Sequence, residues 1–284
     1  MRIAYQGEPG AFSEAAARRI DEAAELLPCH SFEDVFGAVE DGSASYGVLP
    51  IENSVGGSIH RTYDLLVEHD LPIVAEVELA VVHHLLAIPG ASVERLRRVY
   101  SHPQALAQCD RFLRKLTGVD VIATYDTAGS AKLVADQQLG DSAAIASARA
   151  GELFGLVPLA SSIQDYEDNI TRFLVVGSRP LAGPPPDKTT IVFSLKNEPG
   201  TLFKALSVFA LRGLDLTKLE SRPIPGRPWE YLFYVDLAAA RDELSCARAL
   251  AHLAEFAPTL RTLGSYASWR VRKEALPDLF EMPE

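Results

Sequence analysis

Asn169-Ile170-Thr171-Arg172-Phe173-Leu174-Val175-Val176 is the stretch on which the fold turns. An amide, a hydroxyl, a guanidinium and a ring are poor packing material, yet they lead straight into an apolar run of strand character. The combination reads as a site at the mouth of a sheet. Period two sets Thr171, Phe173 and Val175 on one face and Arg172 and Leu174 on the other. A regular strand therefore cannot aim Thr171 and Arg172 at one atom. Either the entrance is bulged or the two side chains perform separate tasks on opposite sides of the backbone.

Upstream of it, from Met1 to Gly177, short apolar runs alternate with helical patterns, which is the signature of an α/β domain with a largely parallel sheet. Arg2 to Tyr5 reads as a strand and Ser13 to Leu27 as a helix. Ser31-x-x-Asp34 has the form of a capping box and opens a helix ending near Gly42. Tyr46 to Ile51 is a strand, and a helix runs from about His60 to His69. A second set follows: strands over Glu76 to Ile88, Arg98 to Tyr100, Val121 to Thr124 and Ala143 to Ala146. Its helices run over His102 to Leu116, Thr127 to Gln138 and Ala148 to Phe154. The pattern implies two lobes, about 1–76 plus 158–178 and 77–157, with a cleft between them where ligands of open α/β sheets sit.

Downstream, Arg179-Pro180-Leu181-Ala182-Gly183-Pro184-Pro185-Pro186-Asp187 can continue neither a helix nor a central strand, so 179–188 is a linker. Residues 189–266 then read as strand, helix, strand, strand, helix, strand, with the turn Pro225-Gly226-Arg227-Pro228 in the middle: a ferredoxin-like βαββαβ domain. The tail 267–284 is charged and proline-bearing.

At 284 residues the chain is long enough for two cores. Its formal net charge of -11 argues against nucleic acid and anionic membrane as partners. Cys29, Cys109 and Cys246 form no CxxC pair, and none of the 7 histidines belongs to a metal-binding spacing, so no metal is expected. A reducing cytoplasm is the expected compartment. The first residues hold no apolar leader core, and no run of ~18 uncharged apolar residues occurs, so neither export nor a membrane span is expected.

Two strand-to-helix loops face the expected cleft. Gln6-Gly7-Glu8-Pro9-Gly10 and Glu52-Asn53-Ser54-Val55-Gly56-Gly57-Ser58 present backbone N–H groups that suit a carboxylate or phosphate. Neither has nucleotide-loop spacing. Ser101-His102-Pro103-Gln104 has the form of a capping box with Pro103 in the first turn. Gln104 and Gln108 lie one turn apart on one helix face, an uncharged row for hydrogen bonding.

In this order, the N-terminal Gly-rich loop, Pro50-Ile51-Glu52-Asn53, Ser101-His102-Pro103-Gln104, Ala143-Ala144-Ile145-Ala146-Ser147 and Asn169-x-Thr171-Arg172-Phe173 resemble the motifs of prephenate dehydratases with a C-terminal ACT domain. The resemblance implies an α/β fold with a two-lobed, periplasmic-binding-protein-like catalytic domain followed by a βαββαβ ACT domain. It implies prephenate as substrate, phenylpyruvate as product, and no cofactor. By position it makes Asn53, Ser101, Gln108, Thr171 and, more loosely, Arg172 and Phe173 the activity-linked residues, with Gly7, Ser54, Gly56, Gly57 and Gln104 around the substrate. Thr171 would donate to the leaving hydroxyl, while Arg172 or loop N–H groups fix a carboxylate and Glu52 stands behind them.

In the ACT domain the resemblance implies L-phenylalanine as effector, bound at a dimer interface between two motifs. Glu220-Ser221-Arg222-Pro223 is intact. The first motif, usually Gly-Ala-Leu-Val, stands here as Gly200-Thr201-Leu202-Phe203 after Asn197 and Pro199, which leaves effector choice open. A homodimer or homotetramer is expected. Two other readings stand beside the dehydratase: an arogenate dehydratase acting on the aminated substrate, and a sensor of amino acids or carboxylates without turnover.

Overall fold

The computed structural model describes residues 1–275; of the charged tail 267–284, residues 276–284 lie outside the described residues. Contacts divide the chain into two units, Met1–Leu65 with Val77–Leu174 and Leu66–Glu76 with Val175–Glu284.

The first lobe begins β1 (Arg2–Gln6), α1 (Phe12–Ile20), β2 (Glu25–Cys29), α2 (Phe32–Glu40), β3 (Tyr46–Asn53), β4 (Gly57–Ser58), α3 (His60–Glu68) and β5 (Ile73–Ala80). The second comprises β6 (His84–Ala87), β7 (Arg98–Ser101), α4 (Pro103–Gln108), α5 (Asp110–Leu113), β8 (Asp120–Ala123), α6 (Thr127–Asp136), β9 (Ser142–Ala146), α7 (Ala148–Phe154) and β10 (Val157–Ala160). The chain then returns as β11 (Ile170–Val176). One sheet runs β2-β1-β3-β11-β5 with β4 beside β3, and the other runs β10-β6-β9-β7-β8. The quoted stretch is thus a central strand of the first sheet. It is buried from Thr171 onward on both faces, as a strand covered by helices on either side must be.

Three sequence expectations are corrected. The helix read over Ser13 to Leu27 ends at Ile20, and Glu25–Cys29 instead pairs parallel with β1, Arg2 against Glu25 through Gln6 against Cys29. Glu22-Ala23-Ala24 is good helix material, but the sheet edge offers ladder partners that propensity alone does not. Pro28 is tolerated because β2 is the outermost strand. The strand read over Glu76 to Ile88 is two strands in different sheets, broken between Ala80 and His84. The helix read over His102 to Leu116 breaks at Cys109, which has φ -116° and ψ 21°. The capping box at Ser31 is present as read, Ser31 and Asp34 each bonding the other's backbone N–H.

The second unit carries β12 (Lys188–Ser194), α8 (Thr201–Ala210), β13 (Leu216–Pro223), β14 (Tyr231–Leu237), α9 (Leu244–Ala254), β15 (Thr259–Tyr266) and α10 (Trp269–Ala275). The order is βαββαβ, and the sheet β13-β14-β12-β15 is antiparallel throughout. One sheet face buries Ile191, Phe193 and Val235 against Ala205, Phe209, Ala249 and Leu253 of the two helices, a single contiguous core. The tail read as charged and proline-bearing contains α10, which places Arg272 inside the fold, 4% exposed. No helix among the described residues is long and apolar enough to cross a membrane.

Candidate active site

β3 and β11 are neighbours, so Asn53 at the end of one and Thr171 near the start of the other face each other. The break between β5 and β6 turns His83 inward, and α4 brings Gln108 to meet it. Five side chains form one network of hydrogen bonds. Asn53 Nδ2 donates to Thr171 Oγ1 at 3.0 Å, to Asn169 Oδ1 at 2.7 Å and to the Ile170 carbonyl at 3.2 Å. Its Oδ1 accepts from Val55 N at 3.0 Å, Gly56 N at 2.7 Å and Gln108 Nε2 at 3.1 Å. Gln108 Oε1 accepts from Asn169 Nδ2 at 3.0 Å and lies 2.8 Å from His83 Nε2.

These partners fix every orientation. Three donors converge on Asn53 Oδ1, so its amide cannot flip. Gln108 presents its nitrogen to that oxygen and therefore its carbonyl to His83, so His83 carries its proton on Nε2. Burial pushes the His83 pKa down and keeps the ring neutral. The consequence for Thr171 is that its oxygen accepts a hydrogen bond from Asn53, so its own O–H is free to donate, strengthened by the bond it accepts.

Thr171 opens onto a cavity of about 130 Å³ lined also by Phe12, Pro50, Ile59, His83, Gln104 and Phe173. It adjoins a larger one of about 470 Å³ that shares Phe12, Pro50, His102 and Gln104 and reaches Gly7, Glu33 and Asp126. Apolar walls with a few convergent polar groups are what a small-molecule site needs. Burial raises the Asp126 pKa against backbone donors that favour its charged form, among them Gly129 N and Glu8 N. Among the described residues no group of His, Cys, Asp and Glu is arranged to hold a metal ion.

The remaining expected site residues fall in different places. Gln104 lines both cavities, and Gly56 lies so close to it that a Cβ there would meet its Nε2 at 2.0 Å. Gly7 lines the larger cavity with φ +115°, a conformation that favours glycine. Gly57 turns the loop with φ +77°. Ser54 is spent on the backbone, donating to the Asp168 carbonyl at 2.6 Å and accepting from Ile170 N at 2.9 Å. Ser101 is fully buried and donates to the Ile145 carbonyl at 2.6 Å, tying β7 to β9. The helix cap expected of Ser101 belongs to His102, whose Nδ1 accepts from Gln104 N.

Arg172 points away from Thr171, as period two requires. Its Nε lies 2.7 Å from Glu52 Oε1, the neighbouring strand's side chain on that face, and it lines neither cavity. The two side chains thus leave β11 in different directions, each with a partner of its own. His83, Asn169, Phe12 and Asp126 are site residues that the sequence reading left out. Asn169 stood inside the quoted motif. His83 had no signal, because only the strand break explains why it turns inward.

The two lobes also touch at the rim. Glu8 N donates to Asp126 Oδ2 at 3.2 Å, Lys132 Nζ lies 3.4 Å from Glu8 Oε2, and Ser147 Oγ donates to the Gly10 carbonyl at 2.7 Å. Gly10 needs its missing Cβ here, since one would lie 2.8 Å from Ala150 Cα.

A prephenate dehydratase family model matches residues 3–181, and an ACT domain model matches residues 189–251. The chain belongs to the prephenate dehydratase family. It is 52% identical to the arogenate dehydratase/prephenate dehydratase 2, chloroplastic, of Arabidopsis thaliana, over 94% of this chain and 72% of that protein. It is 51% identical to arogenate dehydratase 2 of Petunia hybrida, over the same shares. The crystal structure of a prephenate dehydratase from Arthrobacter aurescens in complex with L-Phe superimposes with a TM-score of 0.87 at 33% identity, covering 95% of this chain and 91% of that one.

The expected fold class, a two-lobed, periplasmic-binding-protein-like α/β domain followed by an ACT domain, is the one found for this family member. The expected cytoplasmic placement is overturned by the chloroplastic name of a relative that is 52% identical. Three free cysteines speak for a reducing environment and do not separate one reducing compartment from another.

The effector residues expected from the ACT resemblance sit on two elements. Asn197, Pro199 and Gly200 form the turn between β12 and α8, with Gly200 at φ +82°. Thr201 and Leu202 open α8, Thr201 Oγ1 donating to the Lys196 and Glu198 carbonyls, both at 2.9 Å. Glu220, Ser221, Arg222 and Pro223 end β13, the edge strand, two positions from β12 in the sheet.

Proposed function

We propose that this dehydratase acts on arogenate in preference to prephenate, converting it to L-phenylalanine, carbon dioxide and water, under feedback from L-phenylalanine through its ACT domain. Either substrate is a cyclohexadiene with a ring carboxylate opposite a hydroxyl. The bond from ring to carboxylate breaks, its electron pair enters the ring, and the hydroxyl departs with one added proton as water. Aromatisation drives the step, so the protein has to hold the substrate and ease the leaving group.

Thr171 is the donor for that oxygen, with Asn53 feeding its hydroxyl and Gln108 and His83 holding Asn53. A threonine hydroxyl is too weak an acid to give up its proton outright near neutral pH. Its contribution is a hydrogen bond that strengthens as charge grows on the departing oxygen. The carboxylates are left to loop N–H groups and uncharged amides, because Arg172 is engaged with Glu52.

The preference for arogenate rests on one observation. Among the described residues lining the two cavities there is no lysine or arginine, whereas Asp126 is present, and so is Glu33, which is paired with Arg61 from outside the cavities. Prephenate is a dianion with nothing to offset its second carboxylate; arogenate carries an ammonium group that suits an acidic wall. The name of the Petunia relative, arogenate dehydratase 2, agrees with this, while that of the Arabidopsis relative carries both activities. Turnover of both substrates by the purified chain tests it. A higher kcat/KM for arogenate, by ~10-fold or more, is expected from one added charge pair; a higher value for prephenate sinks the proposal.

The L-phenylalanine part rests on the effector segments and on the L-Phe complex of the Arthrobacter relative. A homo-oligomer follows from it, since β13 presents an open sheet edge and Phe203, Trp229 and Leu211 are 76%, 74% and 82% exposed. Inhibition by L-phenylalanine that Ser221→Ala weakens is the expected result; indifference to the amino acid would remove this part alone.

A further inference from the structure

The second unit contains a buried positive charge that no carboxylate among the described residues neutralises. Arg272 of α10 is 4% exposed. Its Nη1 donates to the Ala182 carbonyl at 3.2 Å, while its buried Nε has no hydrogen-bond partner. No carboxylate among the described residues is paired with it. A guanidinium stays protonated even where burial pulls its pKa down, as here. A buried charge without a counter-charge is costly unless something supplies one.

Arg272 borders a cavity of about 450 Å³, within the ~300–1,000 Å³ usual for ligand sites. Arg179 and Arg241, both exposed, line it too, and no Asp or Glu does. In a chain of net charge -11 that is a marked local reversal. The linker contributes Pro180, Pro184 and Pro186, which have no N–H to offer, and the guanidiniums are the charged donors of the lining. Ile73, Leu181, Leu263 and Tyr266 make the remaining wall apolar. Gly183 leaves room for the arginine, since a Cβ there would lie 2.8 Å from Arg272 Nη1.

We propose that this cavity is an anion site taking a small organic acid, a carboxylate or phosphate on an apolar body, with the anionic group on Arg272 and Arg179 and Arg241 at the mouth. A bare inorganic ion would satisfy the charge but leave the apolar wall uncovered. The site lies outside the dehydratase cavities and outside the Gly200 and Glu220 segments.

Titration calorimetry on the full chain tests it, with phenylacetate and inorganic phosphate as anionic probes and benzyl alcohol as the uncharged control. Saturable binding of phenylacetate or of phosphate, and none of benzyl alcohol, is expected; which anion binds more tightly assigns the carboxylate or the phosphate source. Arg272→Gln is expected to weaken that binding by ~10-fold or more, because a charge-assisted fork is lost. Should Arg272→Gln disturb folding, the double variant Arg179→Ala/Arg241→Ala alters only exposed side chains and is expected to weaken binding several-fold at unchanged melting temperature. No binding of either anion to the unmodified chain overturns the proposal. So does binding that neither variant weakens.

Discussion

Asn53 donates to the Thr171 hydroxyl oxygen across 3.0 Å, and the other end of the same amide is held by Val55 N, Gly56 N and Gln108 Nε2. Two strands that are neighbours in one sheet thus supply a donor that is already aimed before substrate arrives. Preorganisation of this kind costs nothing at the moment of reaction.

Thr171→Val keeps the shape and removes the hydroxyl. It is expected to lower kcat by ~10²–10⁴-fold with KM changed only a few-fold, because the bond matters chiefly in the transition state. Thr171→Ser should keep most of the activity. Near-normal turnover by the valine variant would refute the assigned role, and steady-state product formation is the measurement.

Asn53→Asp replaces a donor with an acceptor facing Thr171 Oγ1, Asn169 Oδ1 and the Ile170 carbonyl. Thr171 would then turn its proton toward the new carboxylate instead of the substrate. Activity is expected to fall ~10²-fold or more at neutral pH and to recover in part as pH is lowered, since a protonated carboxyl donates again. A pH–rate profile parallel to that of the unmodified enzyme would contradict this.

His83, His84 and His102 all have pKa values lowered chiefly by burial. The folded state resists protonating them, whereas the unfolded chain takes up protons near the ordinary value of about 6.5. The stability they leave intact above about pH 6.5 is therefore lost as pH falls below it. Melting temperature should drop between pH 7.5 and pH 5, and His83→Gln should flatten that slope. A melting temperature that does not change over this range would exclude the three rings as the cause.

Gly264→Ala would set a methyl carbon 2.2 Å from the Ile73 carbonyl oxygen and 2.8 Å from Ile73 Cβ, with backbone on both sides unable to yield. Overpacking of that kind costs about 1–3 kcal/mol. Urea denaturation followed by tryptophan fluorescence should show the loss. An unchanged midpoint would mean that β15 and the 66–76 segment do not pack as described.

The sequence was most legible where hydrophobic period and turn chemistry agree. In 189–266 every strand and helix is found within a few residues of its expected place, because Gly200, Pro223, Gly226 and the apolar alternation punctuate each element. Legibility failed where tertiary contacts override propensity. Nothing local says that Glu25–Cys29 leaves a helix for a sheet edge, or that the chain switches sheets at 81–83. The same limit governs the site. Thr171, Asn53 and Gln108 were marked by their positions in motifs that resemble the family's, and the structure brings them together. Ser101 carried the same kind of signal yet serves the β7–β9 junction. His83 gave none, since its place depends on a crossing that periodicity does not mark.

The rim contacts of Glu8 with Asp126 and of Gly10 with Ser147 have a kinetic meaning. They tie the two lobes together beside a pocket that is itself open to solvent. Aromatisation is a one-way event, so a product molecule has no chemical route back through the reaction. Release through an open mouth does not wait on the lobes, so loosening the rim contacts is expected to disturb how the reacting ring is held more than how fast the product leaves.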